Sequence, residues 1–234
     1  MDQILNITDL WVSHHDGTQA LRGVDLELPA GSRLGLVGPN GAGKTSLLLA
    51  VMGALPFRGR IAVDGLTLNG RNTGQIRSRC GMTFQDAEDQ LFMPTLLDDV
   101  AFGPLNQGLS PDQANAHSDL AIGAVGLAGL EGRCAHHLSG GQKRCAALAT
   151  VLSMRVKLLL LDEPGANLDH RSRGRIIQLL AGRPESMVLA SHDLDMISIL
   201  CDLVAVLDDG KVVAAGPAGR ILSDESLLRD HGLK

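Results

Sequence analysis

The chain has 234 residues, 44% of them hydrophobic and only 2% aromatic, with a formal net charge of −5. That length suits one α/β unit or two small subdomains, with a core filled by Leu, Val, Ile and Ala. The acidic balance, with no dense basic stripe, argues against nucleic acid as the main partner. No apolar run is long enough to span a bilayer, and the four cysteines lack C-x-x-C spacing, so free thiols in a reducing compartment are expected.

The N-terminal Met1-Asp2-Gln3 carries no signal-peptide pattern. Residues 1–30 alternate as strands do, with a turn at Asp16-Gly17. Residues 34–37 form a short apolar run that predicts a buried strand. Then come Gly38-Pro39-Asn40-Gly41-Ala42-Gly43-Lys44-Thr45-Ser46 and a Leu- and Ala-rich stretch that predicts a helix over 44–55. Strand, glycine loop and helix in that order are the setting of a phosphate-binding loop, G-x-x-x-x-G-K-[ST]. Its glycines let backbone amides approach phosphate oxygens. Lys44 would reach the β- and γ-phosphates of a bound nucleotide, and Thr45 would offer its hydroxyl to Mg²⁺.

Residues 58–84 again read as strands, with turns at Asp64-Gly65 and Asn69-Gly70. Arg58, Arg60, Arg71, Arg77 and Arg79 read as the solvated face of that β-rich segment. Residues 95–153 read as mostly helical, broken at Gly103-Pro104 and Gly132. Within them, Leu138-Ser139-Gly140-Gly141-Gln142 precedes a predicted helix over 143–152. Ser139 suits an N-cap, and the two glycines leave space for a phosphate at that second helix start. Residues 158–161, four leucines, predict a strand buried on both faces. Asp162 and Glu163 stand at its C-terminal end, where open α/β sheets bind ligands. Asp162 is the candidate for holding Mg²⁺ through water, and Glu163 for polarising an attacking water. Residues 158–215 alternate strand and helix, and no further domain is expected after Leu227-Leu228.

With these motifs the chain resembles ATP-binding cassette ATPases along essentially its whole length. The resemblance implies a P-loop NTPase fold with a RecA-like core, an antiparallel β subdomain and an inserted helical subdomain at about 86–155, all within one nucleotide-binding domain, 1–234. Gln85, in Thr83-Phe84-Gln85, matches the family's glutamine loop and is implied to sense Mg²⁺ and the γ-phosphate. His192, in Ala190-Ser191-His192-Asp193, matches the switch histidine and is implied to contact the γ-phosphate and support Glu163. Asp169, in Ala166-Asn167-Leu168-Asp169, matches the loop that touches a partner subunit. Ser139, Gly140, Gly141 and Gln142 are implied to face ATP held by that partner, either a second copy or a paralogous ATPase. The family stacks an aromatic ring on adenine. By spacing from Asp16-Gly17-Thr18 that position falls on His14 rather than Trp11.

The segment from Gln85 through Asp86-Ala87-Glu88-Asp89-Gln90-Leu91-Phe92 to Pro104, followed by Asn106 to Leu109, resembles the ATPase of energy-coupling-factor importers. It is most similar to the cobalt/nickel group. That implies a motor on the cytoplasmic face of the cell membrane, with integral membrane subunits docking near residues 85–104 and a transported metal ion. A vitamin or other small-solute importer, or a soluble cassette ATPase outside transport, is the alternative. Asp98 and Asp99 read either as docking charges or as caps of the following helix.

Overall fold

The structure is a computed structural model that describes residues 2–234, and it divides into two compact units. The first comprises residues up to Cys80, Lys157–Asp162 and Pro184–Lys234, and the second Gly81–Val156 and Glu163–Arg183.

The first unit opens with β1 (Gln3–Ser13) and β2 (Gln19–Pro29), paired antiparallel across the Asp16-Gly17 turn. After β3 (Arg33–Val37) and α1 (Lys44–Val51), the chain returns to the antiparallel sheet as β4 (Phe57–Val63) and β5 (Leu66–Thr67), giving the order β2-β1-β4-β5. α2 (Thr73–Arg79) follows, and β6 (Cys80–Thr83) spans the division between units. Later segments supply β7 (Leu158–Asp162), β8 (Ser186–Ala190), α7 (Leu194–Leu200), β9 (Leu203–Asp208), β10 (Lys211–Pro217), α8 (Ala218–Ser223) and α9 (Glu225–Asp230). The second sheet runs β10-β9-β3-β8-β7 within this unit. Its β3, β7, β8 and β9 are parallel where they pair, and β10 closes on β9 antiparallel. Its centre is dry: Leu36, Leu158 to Leu161, Val188, Ala190 and Val204 to Leu207 are almost wholly buried, as a parallel sheet requires.

In the second unit α3 (Leu96–Asn106), α4 (Pro111–Ala124) and α5 (Gly140–Leu152) pack on one another, and α6 (His170–Ala181) follows the strand-end acids. Gln90 knits this unit. Its Oε1 accepts from the Phe84 amide at 3.1 Å, and its Nε2 donates to the Ala147 carbonyl at 3.0 Å and to the Thr150 hydroxyl.

Three expectations need correction. The first helix stops at Val51 rather than at residue 55. Gly53, at φ 61°, turns the chain left-handed, and the amides of Gly53 and Ala54 close back onto the carbonyls of Ala50 and Leu49, a Schellman ending. Residues 73–79 are helical, not extended. The Asn72 side chain organises the preceding turn, accepting from the Asn69 amide at 2.8 Å and donating to the Thr67 carbonyl at 2.7 Å. Arg77 of that helix therefore belongs to no β face; it donates to the Met52 and Gly53 carbonyls at the end of α1, while Arg79 pairs with Asp64. Finally, α3 runs through Gly103-Pro104. Proline leaves the carbonyl four residues back without its helical donor. Here that carbonyl, Val100, accepts instead from the Ser153 hydroxyl at 2.8 Å.

Candidate functional site

The phosphate loop leaves β3 at Gly38 and lies directly on β9. A Cβ at Gly38 would fall 2.0 Å from the Leu207 carbonyl oxygen, so any side chain there would push the loop off the sheet. Gly43, at φ 104°, is the N-cap of α1 and gives its amides no side-chain acceptor. The helix start therefore carries no side-chain cap, the form of helix N-terminus that suits an anion. Lys44 is buried, with Nζ donating to the Gly38 carbonyl at 2.7 Å and the Pro39 carbonyl at 3.0 Å, folded along its own loop. Pro39, Asn40 and Gly41 form the more open rim, while Ala42 and Ser46 are buried.

The register of the parallel sheet explains what gathers at this edge. Leu36 pairs with Ala190, and Ala190 with Asp162, so one row crosses β3, β8 and β7 near their C-terminal ends. The phosphate loop, His192 and Asp162 all leave the sheet along this edge. Asp162 is 1% exposed, and its Oδ2 accepts from the Thr45 hydroxyl at 2.6 Å. Hard oxygen donors placed side by side in this way fit Mg²⁺, which takes one or two protein oxygens beside phosphate and water. His192 is exposed between β8 and α7, a helix capped by Asp193, which accepts from the Met196 amide at 2.9 Å.

His14 and Trp11 separate clearly. Trp11 is committed to β1: its indole Nε1 donates to Asp9 Oδ1 at 2.6 Å, and its ring lies over Gly23. His14 sits in the loop between β1 and β2, with Nε2 3.4 Å from the Ser46 hydroxyl beside the phosphate loop. Asp16 accepts from the Thr18 amide at 2.9 Å, which fixes that loop and holds the Asp16 carboxyl below its ordinary range.

In the second unit, Glu163 is buried and has a left-handed backbone at φ 48°; Asn167, which is exposed, is left-handed too, at φ 60°. For residues with a Cβ this conformation costs energy and is tolerated where the surroundings fix it. Asp169 caps α6, accepting from the amides of Arg171 and Ser172 and, at 2.6 Å, from the Ser172 hydroxyl, which holds its carboxyl low. Ser139 caps α5, which begins at Gly140 rather than Lys143. Ser139 Oγ accepts from the Gln142 amide at 3.3 Å, and Gln142 Oε1 accepts from the Ser139 amide at 2.8 Å. This capping box uses the donors of Ser139 and Gln142 and leaves those of Gly140 and Gly141 for a ligand. A Cβ would meet nothing at Gly140 and make only ordinary contact, 3.6 Å from Leu168, at Gly141. The chain's own packing thus does not explain these two glycines. Gln85 is exposed after β6.

The structure divides the two acids of the 85–104 stretch. Asp98 is exposed and accepts from the Thr95 hydroxyl at the start of α3. Asp99 is 3% exposed, and its Oδ1 accepts from the Phe92 and Met93 amides at 2.9 Å each. It is an internal clamp rather than a docking charge, and burial pushes its carboxyl above the ordinary range. The sequence reading also missed the β9–β10 turn that backs the phosphate loop; the Asp209-Gly210 dipeptide was its available signal. Of the cysteines, Cys80 and Cys201 are buried and pushed up to about 12 by desolvation, which keeps them as unreactive thiols.

Comparison with known proteins agrees with this geometry. The ABC transporter family profile matches residues 21–166. A putative ABC transporter ATP-binding protein of Gloeobacter violaceus is 46% identical over 237 residues, covering all of this chain and 97% of that protein. The energy-coupling factor transporter ATP-binding protein EcfA of Methanosphaera stadtmanae is 38% identical over 240 residues, covering all of this chain and 86% of that protein. The solved structure of CbiO1 from Clostridium perfringens, described as part of the ABC transporter complex CbiONQ, superposes with a TM-score of 0.82 at 32% identity, covering 100% of this chain and 96% of that one. The chain therefore belongs to the ABC transporter family, as one of its ATP-binding ATPases.

Proposed function

We propose that the chain is the ATP-hydrolysing motor of an importer for a transition-metal ion, cobalt or nickel, that crosses the membrane through separate subunits. The observation that carries this is the whole-length likeness to CbiO1, a component of a multi-subunit transporter, joined to the cobalt/nickel-like stretch after Gln85. Among the described residues no helix is long and apolar enough to cross a membrane, which agrees with a peripheral motor on the cytoplasmic face. In this reading the chain acts as one nucleotide-binding domain, 1–234, with its helical part at about 86–155 meeting the membrane subunit through residues 85–104.

The residue roles follow the chemistry. Lys44 and the backbone N–H groups of the Gly38 to Ser46 loop, Pro39 apart, hold the ATP phosphates. His14 stacks on adenine. Thr45, Asp162 and Gln85 would hold Mg²⁺, which when bound supplies positive charge against the phosphate oxygens. Glu163 polarises the attacking water, and His192 contacts the γ-phosphate and supports Glu163. Ser139, Gly140, Gly141 and Gln142 face ATP held by a second ATPase chain, identical or paralogous, with Asp169 in the loop between the two. ATP binding closes the pair and hydrolysis reopens it, so nucleotide biases two states that move the docking surfaces.

The test is uptake of radiolabelled cobalt and nickel by cells carrying the complete importer, with and without Lys44→Ala. Accumulation that depends on Lys44 is expected. Accumulation of a vitamin in place of either ion would overturn the substrate while leaving the importer class. Unchanged metal uptake in the Lys44→Ala cells would overturn the motor assignment.

A further inference from the structure

The phosphate loop rests on the turn between β9 and β10, and that turn is tied to the end of the chain. Asp208 and Lys211 pair across a two-residue turn whose central residues, Asp209 at φ 44° and Gly210 at φ 75°, are both left-handed. The turn meets the phosphate loop at two points. The Leu207 carbonyl occupies the place a Gly38 side chain would take, and the Gly210 amide donates to the Ala42 carbonyl at 3.2 Å.

Two side-chain ties hold this turn. Arg22 pairs with Asp209 at 2.7 Å, but Asp209 is 76% exposed, so water screens that pair. The other tie is His231, just past α9, whose Nδ1 lies 2.7 Å from Asp208 Oδ2 in a half-buried setting. His231 is itself held firmly. Leu228 of α9 is fully buried, the His231 amide donates to the Leu227 carbonyl at 3.2 Å, and the Leu233 amide donates to the Leu228 carbonyl at 2.8 Å.

We propose that His231 is a positioning residue for ATP binding: through Asp208 it fixes the β9–β10 turn, and through Leu207 and Gly210 that turn fixes the phosphate loop in its binding shape. The idea rests on the phosphate-loop reading of Gly38 to Ser46. A loop held in its binding shape loses less freedom when phosphates arrive, so releasing the tie raises the dissociation constant for ATP. Turnover at saturating ATP stays unchanged, because His231 touches neither ATP nor the water. By linkage, bound ATP would in turn hold the last helix more firmly.

The experiment is calorimetric titration of the intact chain with ATP, alongside steady-state ATPase assays and thermal melts. His231→Ala is expected to weaken ATP binding about two- to tenfold, the worth of one partly exposed hydrogen bond. KM should rise to match, with kcat held and the folded state retained. His231→Asn, which can place an amide donor where Nδ1 stood, is expected to recover affinity to within about twofold of the parent, the lower end of the same range. Asp208→Ala added to His231→Ala should bring little further loss. Lys44→Ala separates the two layers. If it binds ATP like the parent, the phosphate-loop reading itself falls. If it loses binding while His231→Ala does not, the positioning role alone is refuted. A fall in affinity that tracks melting temperature and is not recovered by His231→Asn would show His231 to be merely structural.

Discussion

Removing the Asp99 carboxylate should release the segment that displays Phe92. Oδ1 accepts from two backbone amides at 2.9 Å, those of Phe92 and Met93. Truncation by Asp99→Ala leaves both without that acceptor, at about 1–3 kcal/mol each if they stay dry. Two effects offset the loss. Phe92 is 64% exposed, so water reaches part of the segment. Asp99 Oδ2 is buried with no hydrogen-bond partner among the described residues, so losing the carboxylate also removes its desolvation. The net expected destabilisation is about 1–3 kcal/mol. Asp99→Asn keeps an acceptor oxygen and carries no charge, so its cost should stay below about 1 kcal/mol. Urea denaturation followed by circular dichroism measures both. A pH series adds an independent check. Burial raises the Asp99 carboxyl above 3.8, so the native chain keeps this proton to higher pH than the unfolded chain does. The contribution of this group is therefore greatest below the unfolded value and declines as pH rises through the folded value. Asp99→Asn should flatten that part of the profile. Equal costs for the alanine and asparagine variants would refute the clamp. So would a pH profile unchanged by Asp99→Asn.

Three further outcomes test the site. Gly38→Ala places a Cβ 2.0 Å from the Leu207 carbonyl, a backbone atom that cannot swing aside; stability should fall by about 1–3 kcal/mol or more and ATP affinity by at least about tenfold, read by titration. Ser139→Ala removes an N-cap and should cost about 0.5–2 kcal/mol in denaturation. In the proposed pairing the hydroxyl also faces a phosphate, so ATPase activity should fall further than that loss of folded protein explains. His14→Ala should weaken ATP binding, whereas Trp11→Ala should disturb β1 and leave affinity nearly intact; the reverse ranking would move adenine to Trp11.

Much of the fold was legible because its signals are local. Residues 34–37 and the four leucines before Asp162 are dry apolar runs, and both are strands of the parallel sheet. Ser139 before Gly140 announced a helix start, and the capping box is there. What the sequence hid depends on partners far along the chain. Nothing near Pro104 reveals that Ser153 will satisfy the Val100 carbonyl, so the proline read as a break. Asp98 and Asp99 look alike in a string, and only the return of the Phe92-Met93 segment onto α3 sets one inside and the other outside. The short helix at Thr73–Arg79 has a single buried residue, Ile76, too little to establish a 3.6-residue period. His14 was read from spacing alone; its nearness to Ser46 arises from the loop that the Asp16-Gly17 turn builds.

The self-sufficient start of α5 has a consequence for mutational screening. Ser139 and Gln142 satisfy each other without any ligand, and Gly140 and Gly141 have room for a methyl group in ordinary helical backbone. Alanine at either glycine would shorten the list of unfolded conformations and stabilise the helix by about 0.4–1 kcal/mol. Selection for solubility, expression or heat resistance would therefore accept, and even enrich, changes at the two positions where, in the proposed pairing, a facing nucleotide needs bare backbone. Such variants would look improved as purified single chains and prove defective only when turnover is measured with the pair assembled. For this chain, tolerance at Gly140 and Gly141 in a folding screen is no sign that the positions are idle.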